Sequence, residues 1–120
     1  MQINETITVG NQFTQYSTGS VSVKNQEYKR NIMVTNDRVV DFPTEDIQQI
    51  KLEDLNLVIG FMPDLIIFGT GDKVIYPDLK LIQNLQQKGI GVEVMPIQAL
   101  CRTFNFLVGE DRRVASILLF

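Results

Sequence analysis

The chain contains no histidine and no tryptophan, a single cysteine, and only four prolines in 120 residues. Each scarcity excludes something. Without histidine, the commonest general base near neutral pH and the commonest transition-metal ligand are both missing. With Cys101 alone, no disulfide forms within the chain, which suits a reducing compartment. No apolar run approaches membrane-spanning length, so no membrane insertion is expected. The opening residues, Met1-Gln2-Ile3-Asn4-Glu5, have neither the basic start nor the apolar stretch of a signal peptide, and no Arg-rich transit-peptide character. A cytoplasmic protein is the expectation.

Positive charge is also in short supply. Eleven basic residues face fourteen acidic ones, a net charge of −3. The basic residues are scattered, adjacent only at Lys29-Arg30 and Arg112-Arg113, so no stripe exists to neutralise a phosphate backbone. Nucleic acid is not an expected partner. The acidic pairs Glu45-Asp46, Glu53-Asp54 and Glu110-Asp111 lack the spacing of a calcium loop. Neighbours on a helix also point about 100° apart, so such a pair does not converge on one atom. No metal, no other cofactor and no catalytic residue is expected.

What is present is ordinary globular material, 44% hydrophobic and 21% charged. That length and composition predict one domain over 1–120 with a core that needs no cross-link or metal. No repeat, low-complexity tract or linker interrupts it. The hydrophobic period changes along the chain instead. Ser20–Lys24 alternates, Tyr28, Arg30, Ile32 and Val34 share one face of a longer strand, and Val39–Phe42 forms a third strand ended by Pro43. Asn25-Gln26 and Asn36-Asp37 are the predicted turns. Thr44 is a candidate cap for a short helix over Glu45–Gln49, and Leu52, Leu55 and Leu57 suggest another helix.

The second half reads as α/β. Leu65–Phe68 is an unbroken apolar run, the pattern of a strand covered on both faces, and Gly69-Thr70-Gly71 is expected to break it. Pro77 and Asp78 start a helix with Leu79, Ile82 and Leu85 on one face and Gly89 as its stop. Ile90–Val94 is the next strand, parallel to the first through a right-handed crossover. From Ile97 apolar residues recur at Leu100, Cys101, Phe104, Leu107 and Val108, an amphipathic helix ended by Gly109-Glu110-Asp111. Val114–Phe120 closes the chain as a strand. The predicted fold is α/β: an antiparallel meander, then strand-helix-strand-helix-strand in a mixed sheet.

Three blocks in the second half carry a family resemblance. Pro63-Asp64-Leu65-Ile66-Ile67-Phe68-Gly69-Thr70-Gly71 resembles one signature of the MTH-type domain family. Gly91–Met95 with Cys101-Arg102-Thr103-Phe104-Asn105-Phe106-Leu107 resembles a second. Glu110-Asp111-Arg112-Arg113-Val114-Ala115 resembles a third, with Asp111 where the family usually has Gly. Ile97, Leu100 and Phe104 also depart, standing where Thr, Ala and Tyr are common. The family includes a mitochondrial assembly factor for respiratory complex I and an adipogenesis-associated MTH domain-containing protein. The resemblance therefore implies an MTH-type fold and a binding or assembly module rather than an enzyme.

Two candidate sites follow. If the strands at 64–68 and 90–94 are parallel neighbours, Gly69, Thr70 and Gly71 lie at the carboxyl edge, where open α/β sheets bind ligands. The helix from Ile97 would point its amide groups there, with Gln98, Arg102 and Asn105 on its polar face and Arg112 adding charge. That constellation would suit an anion or carboxylate, as a small-molecule binding protein or enzyme. The bland reading is a turn off a buried strand, since Val74 occupies the third small position of a dinucleotide fingerprint and no Gly-Lys-Ser/Thr follows. The second candidate is Phe106, which falls nearly opposite the apolar stripe of its helix. Either the helix is covered on two sides or an aromatic is exposed, as at an interface with a protein partner or a second copy. Cys101 lies on the stripe itself with no base beside it and reads as a core residue.

Overall fold

A bend at Lys29–Asn31 decides the architecture of the β-rich first third. In the computed structural model, which describes residues 10–17 and 19–120, the chain turns there instead of running on as one strand from Tyr28 to Val34. Strands β1 (Phe13–Ser17), β2 (Ser20–Val23) and β3 (Gln26–Tyr28) form a three-stranded antiparallel sheet. Strands β4 (Ile32–Val34) and β5 (Val39–Asp41) leave it for a second sheet. The predicted meander is thus divided between two sheets, although Tyr28, Ile32 and Val34 do bury in one core. Arg30 does not share their face. It is exposed, pairs with Asp41 at 2.6 Å, and sits over the Tyr28 ring.

Local chemistry explains the other shifts. Lys24 and Asn25 both take positive φ (50° and 71°), so they, and not Asn25-Gln26, make the two-residue hairpin turn. Strand β1, which the alternation pattern does not announce, carries a bulge between Phe13 and Gln15. Asp46 rather than Thr44 caps the 3-10 turn Ile47–Gln49, its carboxylate accepting from the Gln48 N–H at 2.9 Å. A second 3-10 turn, Leu52–Leu55, continues into α1 (Asn56–Gly60). Leu55 and Val58 are buried there while Leu57 faces outward.

The five-stranded sheet has the order β5-β4-β8-β6-β7 and is mixed, as expected. Strand β6 (Leu65–Thr70) runs parallel to both β7 (Gly91–Met95) and β8 (Val114–Leu119). It extends through Gly69 and Thr70 instead of breaking there. Strand β8 pairs antiparallel with β4, which joins the two halves of the chain. Asp78 caps α2 (Leu79–Gln87) through the Lys80 N–H, and Gly89 at φ 81° ends it. This helix buries Leu81 and Leu85 and leaves Leu79 outside, so its inner face is turned from the predicted one.

Two cores lie on opposite faces of this sheet. On one, Ile66, Phe68, Ala115 and Ile117 meet Leu55, Val58, Leu81 and Leu85. On the other, Ile67, Val114 and Leu118 meet α3 (Ile97–Gly109) through Ile97, Leu100, Cys101 and Phe104, with the small sheet closing over them. The unbroken apolar run of β6 follows from being covered on both sides. The reading of Met1–Glu5 as lacking a signal peptide lies outside the described residues.

Candidate functional site

The register of the parallel strands brings Gly69 level with Met95 and Leu118, so the carboxyl ends of β6, β7 and β8 share one edge. The start of α3 lies at the same edge. Its first amide is already occupied, because the Ile97 N–H donates to the Gly71 carbonyl at 3.1 Å. The Gly71 N–H in turn donates to the Leu119 carbonyl. The buried Thr70 hydroxyl donates to the Lys73 carbonyl and accepts from the Ile75 N–H, stapling the loop. Gly69 has a packing reason to be glycine. A Cβ there would stand 2.7 Å from Leu100 Cδ1 and 3.3 Å from Ile97 Cγ1. Gly69 and Thr70 end the strand, Gly71 begins the loop and ties it to α3, and the polar groups of Thr70 and Gly71 are taken up in doing so.

Two openings flank this turn. The larger, about 630 Å³, is lined by Glu45, Asp46, Asp72, Lys73, Ile75 and Phe120 among others. Three carboxylates against one lysine make its field unfavourable to an anion. The smaller, about 150 Å³, takes in Gly71, Asp72, Ile97 and Gln98. Arg102, one helical turn further on, lines neither and is exposed.

The other residues expected at this edge lie elsewhere. Arg112 precedes β8, whose first residue Val114 is level with Leu65 at the start of β6, so it sits at the opposite edge of the sheet. There it lies 3.6 Å from Asp64. Arg113 belongs to the same corner, stacked 4.0 Å over the Phe61 ring and donating to the Phe61 and Met62 carbonyls. Asn105 is occupied by the fold. Its side-chain amide donates to the Phe13 carbonyl and its oxygen accepts from the Phe13 N–H, both at 2.8 Å, imitating a strand partner for β1. The physical reason is chain geometry. A helix of α3's length carries Asp111–Arg113 across the sheet to its far edge, which a linear motif does not display.

What remains free on α3 is an outward row. Gln98, Arg102 and Phe106 follow at four-residue spacing, all exposed, Phe106 to 67%. Two residues earlier Phe104 is wholly buried, edge-on to Phe13 with ring centroids 5.2 Å apart. A second apolar surface, of which the sequence assigned only Leu79 to a face, and that the inner one, spans the loop before α2 and the first residue of the helix. Val74, Ile75, Tyr76 and Leu79 are all exposed there. The only sequence signal was an aliphatic-aromatic run outside any periodic element.

Cys101 sits in the core on the inner face of α3, and burial pushes its thiol up to about 12, with Arg102 pulling slightly the other way. The thiolate is therefore scarce at physiological pH. In the native protein at pH 8, Ellman's reagent is expected to label Cys101 no faster than the chain unfolds, and at once after unfolding in urea. Rapid native labelling would contradict the burial. The same shift has a stability consequence. The folded thiol holds its proton to higher pH than the unfolded one, so its contribution is present below about pH 9 and declines as the pH rises toward 12.

Residues 13–119 match the family described as a protein of unknown function, DUF498/DUF598. The chain belongs to this family. The match spans nearly all the described elements, including the β-rich first third, which the three sequence blocks do not reach. A Francisella tularensis relative named 13 kDa major membrane protein is 31% identical over 109 residues, covering 89% of each chain. A Xenopus tropicalis relative named NADH dehydrogenase [ubiquinone] 1 alpha subcomplex assembly factor 3 is 39% identical over 74 residues. That alignment covers 60% of this chain and 40% of the Xenopus protein. The crystal structure of a Bordetella parapertussis protein shares the fold with a TM-score of 0.85, at 30% identity over 94% of this chain and 98% of that one. The fold is that of the Mth938-like domains, so the DUF498 chain is of the MTH type that its sequence blocks resemble. Among the described residues, no helix of this DUF498 chain is long and apolar enough to cross a membrane.

Proposed function

We propose that this DUF498 chain is a non-catalytic protein-binding module that helps a larger complex assemble. One observation carries the reading: Phe106 stands 67% exposed in the last turn of a well-packed helix whose other aromatic, Phe104, is wholly buried. An aromatic ring brings roughly 150–250 Å² to an interface when covered, and such residues are enriched at binding hot spots. Arg102, one turn away in the same row, supplies a planar cation for the rim of such a contact. Relatives named as assembly factors point in the same direction. The partner follows from the reading: another protein, or a second copy of this chain. The competing reading, an anion or carboxylate site at Gly69–Gly71 with Arg102, has a negatively lined cleft against it and Arg102 outside that cleft.

Native co-purification of the tagged chain from its own cells, read by mass spectrometry, tests the proposal. The wild-type chain is expected to retain a stoichiometric protein partner, and Phe106→Asp to lose it. The unfolding free energy of the variant should stay within about 1 kcal/mol of wild type, because the position is exposed and an acid in the last turn of α3 costs only a fraction of that. Sedimentation velocity on the two proteins reads self-association through the same ring. A partner retained equally by Phe106→Asp would remove this surface from the function. A retained metabolite lost with Arg102→Ala would replace the proposal with the small-molecule reading.

A further inference from the structure

The loop between β6 and α2, with the first residue of α2, presents an apolar strip beside an acidic cleft, on a surface distinct from Phe106. Val74 is 44% exposed, Ile75 46%, Tyr76 61% and Leu79 64%, four of the large apolar side chains left open to solvent within six residues. The strip is held in place at both ends. Upstream, the Thr70 hydroxyl bonds the Lys73 carbonyl and the Ile75 N–H, and Gly71 is tied to Leu119 and Ile97. Downstream, Pro77 is buried and Asp78 caps α2. A strip fixed in this way loses little further conformational freedom when it is covered.

Its flanks are acidic. The adjoining cleft of about 630 Å³, which Ile75 of the strip lines, carries Glu45, Asp46 and Asp72 against Lys73, with Leu119 and Phe120 among its apolar residues. Asp78 and Lys80 lie beside Leu79, so the surface as a whole sets four carboxylates against two lysines. Among the described residues the ion pairs are Arg30–Asp41 and Arg112–Asp64, so none of these four carboxylates has a cationic partner. The two cores show that this surface and Phe106 are separate: α2 packs on one face of the sheet and α3 on the other.

We propose that the strip Val74–Leu79 and the cleft beside it bind a short basic, apolar segment of a partner protein. Its apolar side chains cover Val74, Tyr76 and Leu79, and its Lys or Arg residues enter the cleft toward Glu45, Asp46 and Asp72. Charge complementarity selects this occupant. A second copy is disfavoured, because a two-fold contact would bring the same acidic flanks together in a chain already at −3. This goes beyond the assembly reading by naming the chemistry of one partner and a surface other than Phe106.

Fluorescence polarisation with short fluorescein-labelled peptides tests it on the full chain. The probes are a peptide alternating Lys and Leu, its Glu-for-Lys version and its Ser-for-Leu version. The Lys/Leu peptide is expected to bind and the other two not, with affinity falling as salt rises. Tyr76→Asp and Leu79→Asp are each expected to weaken binding by about tenfold or more, the scale of an interface hot spot. Leu79→Asp also places an acid in the first turn of α2, where the helix tolerates it, so loss of binding is separable from loss of fold. Phe106→Asp should leave binding of the Lys/Leu peptide unchanged, which distinguishes failure here from failure of the Phe106 interface. Equal binding of the Glu-for-Lys peptide, or insensitivity to both strip variants, would overturn the proposal. So would a concentration-dependent dimer abolished by Tyr76→Asp, which would identify a second copy as the occupant.

Discussion

Phe104→Ala is expected to destabilise the protein by about 3–5 kcal/mol, the usual cost of removing a buried phenylalanine and leaving a cavity. The position meets every condition for the upper part of that range. Its ring is wholly buried, edge-on to Phe13, at the junction where α3, the small sheet and the five-stranded sheet converge. The surroundings are poorly able to collapse into the gap. Phe13 is fixed by the two hydrogen bonds it makes with Asn105, the next residue on the same helix, and the sheet behind is locked by its ladders. A single domain has about 5–15 kcal/mol in total, so the variant should lose a large part of its stability, with a melting midpoint lowered by about 10–20 °C. Urea denaturation followed by circular dichroism reads the free energy. Phe106→Ala, two residues away and exposed, is the control and should stay within about 0.5 kcal/mol. A loss below about 1 kcal/mol at Phe104 would mean the small sheet is not held to the rest of the fold through this ring.

Gly69→Val is expected to destabilise by about 1–3 kcal/mol, through overpacking rather than a cavity. The first added carbon already stands 2.7 Å from Leu100 Cδ1. The leucine terminus is flexible in principle, but Leu100 is wholly buried and Ile97 lies on the other side at 3.3 Å, so the clash passes into the position of α3. The cause can be checked by a double-mutant cycle. Leu100→Ala makes room at the cost of its own cavity, so the double variant should be more stable than the sum of the single losses predicts. Strict additivity would show that the strain lies elsewhere. The experiment also separates two meanings of the glycine. At a phosphate-binding turn, the substitution would remove ligand affinity and spare the fold; here it should weaken the fold directly.

Most of the second half was legible in the sequence because its signals are local. A short apolar run without polar interruption is a strand covered on both faces, and β6 has this surrounding. The spacing of Ile97, Leu100, Cys101 and Phe104 is one stripe of a helix, and these four residues are the buried ones on α3. Pro77-Asp78 and Gly89 mark the ends of α2 for reasons of backbone chemistry that act over a few residues. The first third was less legible. Its alternation showed strands, but which sheet each strand joins depends on β8, about eighty residues away along the chain from β4. The bend at Lys29–Asn31 leaves no mark on the hydrophobic period, since Tyr28, Ile32 and Val34 end in the same core on either side of it.

The candidate sites divide in the same way. By itself the sequence determined that catalysis has no histidine to work with, that Cys101 lies on an apolar stripe, and that Phe106 opposes that stripe on its helix. These follow from composition and from the 3.6-residue period. Only the tertiary structure decided that Arg112 stands at the far edge of the sheet from Gly71, that Asn105 is occupied in holding β1, and that Gly69 makes room for Leu100. It alone exposed Val74–Leu79 beside three carboxylates contributed by two separate segments of the chain. Periodicity reports which way a side chain faces within its own element; what it faces is set by elements distant in sequence, and no local pattern records that.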